Sequence, residues 1–442
     1  MSIRSRFLKL LLGPAITLVV GVLSGPIISR LFNPEDFGRY SVLLGIIGVG
    51  AVAVTARFEQ LIPSSKDPAA NFWIVLATSI LGALLLGFGA YSFFSLQEAV
   101  FVALTTLSVA IFNAFYYLLI VTDRSLRASG GRALQAGGVL GGQVALGSSG
   151  WAMPGLMWGE LSGRLLSLVL VFQRIEFRKK PEIFRAIRDQ LPTAKWLLPG
   201  ALLGALALQL LPLGMASSVG AAAAGVFLLI YRMVVIPNAL LSKVASDTLL
   251  VELSRLERQG MSIHAVVESS LARLVLTAVC LYGSLSIYGG WFFAFILGEG
   301  WESGTQLIPW LSILVGFWSI ASPLAMVFVS LEKTKWSFRL SALDILNRFF
   351  ALVVGYLAQD VVLATISLAI GGGVVYGLSV KCALSLANAS FARSLNPVLP
   401  HLLLVALLLL GSWVLFTSGF WLLACSLTVI AFLIAGKRVV YG

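Results

Sequence analysis

Four arginines and three acids fall inside stretches that are otherwise apolar enough to cross a bilayer: Arg57, Arg164, Arg232 and Arg348, with Glu59, Glu160 and Asp344. A charge at the centre of a membrane helix costs about 2.5–3.5 kcal/mol on insertion scales, so each needs a partner. Glu160 and Arg164 are four apart, as are Asp344 and Arg348, which places each pair on one helix face. Such a pair either neutralises itself and pins helix packing or stays open to a ligand. Arg57 and Glu59 are two apart and, on an unbroken helix, point to different sides. Arg232 has no acid in its own apolar stretch. An arginine so placed needs a carbonyl, a partner helix or an anion as acceptor. Guanidinium suits phosphate because it donates two parallel hydrogen bonds. Arg57 and Arg232 are therefore the leading ligand-binding candidates.

The element that holds Arg57 runs from Ser29 to Pro63. It reads as a helix end, a tight polar turn and a second apolar helix. Asn33 is placed to cap that helix, Pro34 fits its first turn, and Glu35 and Asp36 suit the positive end of its dipole. The remaining elements are of the same kind. Of 442 residues 59% are hydrophobic and only 11% charged, against about 25% charged in a soluble domain. Hydropathy divides the chain into about fourteen spans, each near the 20 residues that cross a bilayer. The fold class is an all-α polytopic membrane protein. The first apolar run has no cleavage-site pattern and reads as a true first span.

Net charge is +12, but its placement argues against a nucleic-acid footprint. Connections on one side are very short; those on the other are longer and, with both termini and adjoining span ends, hold 25 of the 31 Lys and Arg residues. Positive charge concentrates on cytoplasmic loops, so both termini are expected in the cytoplasm, and the charge serves topology and attraction to anionic lipid. The loop at 241–271 holds Leu249, Leu253 and Leu256 at helical spacing. It reads either as an amphipathic surface helix or as an extension of a neighbouring span. His264 and His401 stand apart from other ligating residues, and Cys280, Cys382 and Cys425 are small residues in apolar segments, so neither a metal site nor a cofactor is expected. The outward loops are too short to carry catalytic groups, which argues against an enzyme.

Arg57 and Arg232 both lie several residues before a proline, Pro63 and Pro237, in spans running the same way and six apart. An even offset implies two parallel six-helix lobes related by a pseudo-two-fold axis along the membrane normal. The expected organisation is a lobe over 1–174, a basic cytoplasmic linker over 175–195, a second lobe over 196–385 and two further helices over 386–442. Gly137, Gly138, Gly141 and Gly142 in the fifth span, and Gly371–Gly373 in the twelfth, allow close helix approach.

Arg30-Leu31-Phe32-Asn33-Pro34-Glu35-Asp36-Phe37-Gly38, followed by Tyr40, resembles the polysaccharide-transporter branch of the MOP flippase superfamily. Arg57-Phe58-Glu59-Gln60-Leu61-Ile62 and the turn Lys66-Asp67-Pro68-Ala69 are similar to the O-antigen (lipid-linked oligosaccharide) flippases in particular. The resemblance implies the MOP/MATE-like fold, a central cationic cavity, and a flippase moving undecaprenyl-diphosphate-linked oligosaccharide from the cytoplasmic to the periplasmic leaflet of a bacterial inner membrane. Membrane lipids and other polysaccharide-assembly proteins are the further partners it implies. Related lipid II flippases use arginines on the second and eighth spans to hold the diphosphate, and Arg57 and Arg232 match those places; Arg30 matches the motif. Arg164 and Arg348 complete the substrate-binding candidates. Asp344, Glu160 and Glu59 are the candidates for coupling to H+ or Na+. The alternative is an ion-coupled multidrug or small-solute antiporter of the same superfamily, which predicts fewer arginines and more acids within the spans.

Overall fold

The computed structural model describes residues 3–65, 67–172, 183–331 and 333–441. Lys66, Arg174, Arg178, Lys179 and Lys180, and with them the first part of the expected 175–195 linker, lie outside the described residues. The described chain is helical, with no strand, and falls into two compact units, Met1–Leu229 and Ile230–Gly442.

The first unit begins with α1 (Ile3–Leu31) and α2 (Pro34–Thr55), separated by the turn at Asn33. Asn33 caps α2 as expected, its Oδ1 accepting from the Asp36 N–H at 2.8 Å. The four-residue α3 (Phe58–Leu61) leads through a 3-10 turn at Ile62–Ser64 to α4 (Pro68–Tyr91), which Asp67 caps. Next come α5 (Leu96–Val121), opened by a Ser95–Glu98 capping box, α6 (Ser125–Ser148), α7 (Met153–Val171) and α8 (Ile183–Val219). α8 packs against α2 and α4. The helix after the linker thus joins the first unit, and the compact division falls at 229/230, inside α9 (Ala221–Arg258), rather than at the linker.

The second unit continues α9 with α10 (His264–Leu297), α11 (Ile308–Leu324), α12 (Met326–Ser330), α13 (Thr334–Ala358), α14 (Val361–Leu386), the short α15 (Phe391–Leu395), α16 (Leu399–Thr417) and α17 (Trp421–Tyr441). Pro323 ends α11, and α12 follows one residue later. Leu249, Leu253 and Leu256 extend the eighth span: α9 is continuous through them, and all three are buried. The opposite face of that stretch carries the Lys243–Asp247 and Arg255–Glu252 pairs at 2.9 and 2.6 Å. α16 and α17 pack on each other and on α10.

Among the described residues eleven helices are long and apolar enough to cross a membrane. With α1, α6 and α7 they make up the fourteen long helices that hydropathy predicts; α6 and α7 are less apolar because of the glycines and the charged pair they carry. The chain is a multi-pass membrane protein.

Two features stiffen the first unit. Arg127 on α6 donates from Nε and Nη2 to the Leu170 carbonyl at 3.2 and 2.9 Å, and from Nη2 to the Phe172 carbonyl at 2.9 Å. It thereby satisfies the end of α7, where carbonyls lack intrahelical donors. Along the same two helices small residues interleave. A Cβ on Gly163 would lie 2.0 Å from the Val139 nitrogen, and one on Gly159 2.5 Å from the Gln143 nitrogen. Gly138 and Gly142 face this contact, whereas Gly137 and Gly141 meet nothing within 4 Å, so only half of the sequence's glycine cluster makes the approach. Without a hydrophobic drive between helices in lipid, such backbone proximity is a main source of association. In the second unit a Cβ on Gly371 would strike Asn347, whose Nδ2 donates to the Leu368 carbonyl at 3.2 Å. The contact predicts that Gly163→Ala destabilises the detergent-solubilised protein by about 1–3 kcal/mol through overpacking, seen as a lower thermal midpoint. Gly141→Ala, in open space, is expected to be neutral or to stabilise by roughly 0.5–1 kcal/mol.

Candidate cationic site in the first unit

The apolar run of α2 ends without glycine or proline, yet the helix stops there. Ala56 (φ 47°) and Arg57 (φ 64°) both take the left-handed conformation, which costs an L residue roughly 1–2 kcal/mol each. Local hydrogen bonds offset part of this: the Ala56 N–H donates to the Ala53 carbonyl at 3.2 Å, and the Arg57 N–H to Thr55 Oγ1 at 3.4 Å. Packing supplies the rest. Phe58, Leu61 and Ile62, immediately after the break, are buried with Phe72, Phe112, Phe115 and Leu119 from α4 and α5. At depth in a membrane, irregular backbone is tolerated only where protein buries it or a polar cavity receives it.

The break reorients two charges. Arg57 and Glu59 do not point apart as an unbroken helix requires; Arg57 Nη1 lies 3.5 Å from Glu59 Oε1. That is longer than the 2.7–2.9 Å of a strong charge-assisted hydrogen bond. Glu59 is 2% exposed, while the Arg57 side chain is 23% exposed. Among the described residues, Arg57 Nε and Glu59 Oε2 are buried without a hydrogen-bond partner. Buried polar groups are nearly always satisfied, and of the buried side-chain atoms left without a partner among the described residues these two are the ones that belong to an arginine or a carboxylate.

Arg132 on α6 and the Tyr116–Tyr117 doublet near the end of α5 complete the site. The Arg132 guanidinium lies over the Tyr116 ring, 4.1 Å from its centroid. Thr17 Oγ1 of α1 donates to the Arg132 carbonyl at 3.4 Å. The Tyr117 hydroxyl is within electrostatic reach of Glu59, Arg132 and Arg57. α3 and α6 each pack against α5, so Tyr117 stands between the Arg57–Glu59 pair on one side and Arg132 on the other. In sequence Arg132 counts among the basic-side topology charges. The only signal that could have singled it out is its place two turns inside a helix that begins at Ser125.

The other intramembrane pairs are closed. Arg164 Nε donates to Glu160 Oε1 at 2.7 Å; Tyr40 on α2 donates to Glu160 Oε2 at 2.9 Å and receives Gln143 Nε2 of α6 at 3.1 Å. In the second unit Arg348 Nε donates to Asp344 Oδ2 at 2.8 Å and Tyr376 of α14 to Asp344 Oδ1 at 3.0 Å. Both oxygens of each carboxylate are occupied. Arg30, in the last turn of α1, and Arg232, on α9 in the second unit, are exposed. No group of three or more metal-ligating side chains occurs among the described residues. The second unit also holds a cavity of about 960 Å³ between α10, α11, α14 and α15, apolar apart from Lys381, Tyr282 and a few serines.

The chain matches the family described as polysaccharide biosynthesis protein over residues 27–306. Its fold is similar to that of the lipid II flippase MurJ in an inward closed conformation, with a TM-score of 0.73 at 10% identity over 97% of this chain and 98% of that one. It is similar to an inward-facing multidrug resistance MATE family transporter of the MOP superfamily, with a TM-score of 0.58 at 13% identity over 86% and 98%. A Vibrio cholerae MATE transporter, VcmN, gives 0.57 at 13% identity over 87% and 97%. No protein of curated function matches by sequence. At such identities the structural likeness establishes the fold, while the family match covers well over half of the residues. The chain is therefore a member of the polysaccharide biosynthesis protein family, built on the helical fold of the MOP-superfamily transporters.

Proposed function

We propose that the protein is a flippase that carries an undecaprenyl-diphosphate-linked oligosaccharide, an O-antigen or similar repeat unit, from the cytoplasmic to the periplasmic leaflet of the inner membrane. It moves this substrate without transforming it chemically. The observation that carries the reading is the incomplete Arg57–Glu59 pair at the backbone break, with Tyr117 within electrostatic reach of both Arg57 and Arg132. A diphosphate cannot leave water for hydrocarbon unless something replaces its hydration. Two guanidinium groups and a phenol provide oriented donors for that purpose. The 3.5 Å separation of Arg57 from Glu59 leaves the guanidinium free to exchange a weak intramolecular partner for a phosphate oxygen. The family match and the likeness to a lipid II flippase point to the same class of substrate, a lipid-linked saccharide.

In this reading the two closed networks are packing devices rather than phosphate sites. Arg164 and Arg348 already donate to carboxylates, and those carboxylates already accept from tyrosines. Arg232 and Arg30 are exposed cations on the surfaces of their helices. Among the described residues only Glu59 of the three candidate coupling acids keeps an oxygen without a partner, so it is the acid this reading favours for coupling to an ion gradient.

Leaflet transfer of a labelled polyprenyl-diphosphate oligosaccharide in proteoliposomes tests the assignment. Native protein is expected to transfer it, and Arg57→Gln or Arg132→Gln to lower the rate about tenfold or more, the equivalent of one charge-assisted hydrogen bond, while keeping the native melting midpoint. Undiminished transfer by both variants would refute the phosphate site. Uptake of a cationic dye in place of glycolipid transfer would favour the antiporter. A second test concerns the closed networks. Glu160→Gln leaves Arg164 without its counter-charge and is expected to destabilise the fold by about 3 kcal/mol, the low end for a broken buried pair because Arg164 is partly exposed. The double substitution Glu160→Gln/Arg164→Met should recover most of that loss in the same unfolding measurement.

A further inference from the structure

A small concavity of about 290 Å³ lies where the start of α10, the short α15 and the end of α17 meet. Three arginines from three different elements line it: Arg273, Arg393 and Arg438. Glu268 is the one acid among the described residues that line it, and it is already engaged. Its Oε1 accepts from the Ser390 N–H at 2.8 Å and lies 3.4 Å from Arg393 Nε. Neither Arg273 nor Arg438 forms an ion pair with a described acid, so the concavity carries two positive charges beyond its own neutralisation.

Depth in the membrane narrows what such a site receives. Arg273 precedes the apolar stretch of α10, and Arg438 follows that of α17, so both sit where a span ends and the headgroup layer begins. The same face of the chain holds the longer, basic connections. Directly beneath lie the buried apolar contacts of α10, α16 and α17, including Leu276, Val405, Leu409, Ala431 and Ala435. Beside them Val429 and Leu433 of α17 are exposed. The volume is at the small end for ligand sites and too small for an oligosaccharide. We infer that Arg273, Arg393 and Arg438 bind the phosphate of an anionic phospholipid headgroup, with the acyl chains lying along the exposed apolar side of α17. Guanidinium forks from three sides satisfy phosphate oxygens, and basic pockets between membrane helices are known receptors for anionic lipid. Because the three cations come from α10, α15 and α17, a bound lipid ties the C-terminal helix pair to the rest of the second unit. The inference is independent of the transported substrate.

The test is native mass spectrometry of the full chain in neutral detergent, titrated in turn with phosphatidylglycerol, phosphatidylcholine and inorganic phosphate. Native protein is expected to bind one phosphatidylglycerol about a hundredfold more tightly than phosphatidylcholine, since each of the three arginines contributes about a fivefold factor. Arg273→Gln/Arg393→Gln/Arg438→Gln should abolish that preference, while Arg188→Gln, which removes one charge from the exposed surface of the first unit, should leave it intact. Should the triple variant not fold, Arg438→Gln alone, in the last turn of α17, is expected to reduce the preference about fivefold. Equal binding of the two lipids by native protein would overturn the inference. So would an unchanged preference in the folded variants, or displacement of phosphatidylglycerol by millimolar inorganic phosphate, which would make this a free-anion site.

Discussion

Hydrocarbon does not tolerate an unpartnered charge or an unpaired backbone, and the first unit is built around one place where both are brought together. The left-handed turn at Ala56 and Arg57 interrupts a helix that composition alone would have continued. It is held by aromatic and aliphatic burial on its far side, where Phe58, Leu61 and Ile62 enter a core with α4 and α5. The core thus holds a costly conformation, and that conformation turns Arg57 and Glu59 toward each other without letting them close. A backbone outlier, an incomplete ion pair and two orphaned buried polar atoms coincide within five residues. Strain and unsatisfied polarity concentrate at functional sites because elsewhere nothing compensates for them.

The two other intramembrane ion pairs obey the opposite rule. Each compact unit contains an acid and an arginine one turn apart whose carboxylate is capped by a tyrosine from another helix. These networks join helices that also approach through small residues: α6 and α7 in the first unit, α13 and α14 in the second. A rigid pair of helices with fully satisfied polar groups is a suitable frame for one open cluster. The contrast between closed and open pairs, more than the number of arginines, separates the packing networks from the site proposed for binding.

The span pattern, the Asn33 cap and both i,i+4 pairs follow directly from sequence, because hydropathy, capping chemistry and helical periodicity are local properties. The break at Ala56–Arg57 does not. Neither residue favours the left-handed region, and the burial of Phe58 and Leu61 that imposes it is tertiary. With the break hidden, Arg57 and Glu59 read as diverging, and Arg132 reads as a topology charge because its Tyr116 partner is on another helix. The glycines of α7 carry no local signal for a related reason: Gly159 and Gly163 matter only opposite Gln143 and Val139. The arginine pocket at the C-terminal end is likewise assembled from residues 165 positions apart, Arg273 and Arg438.

The central claim is that the open cluster recognises a diphosphate, and direct binding tests it without requiring transport. Titration calorimetry of the full chain in neutral detergent would compare a short-chain prenyl diphosphate with the corresponding monophosphate, in native protein and in Arg57→Gln. The account predicts that the diphosphate binds about tenfold or more tightly than the monophosphate, and that the substitution removes this preference, since a second phosphate needs the second guanidinium. Equal affinities for the two ligands, or a preference that survives Arg57→Gln, would contradict it.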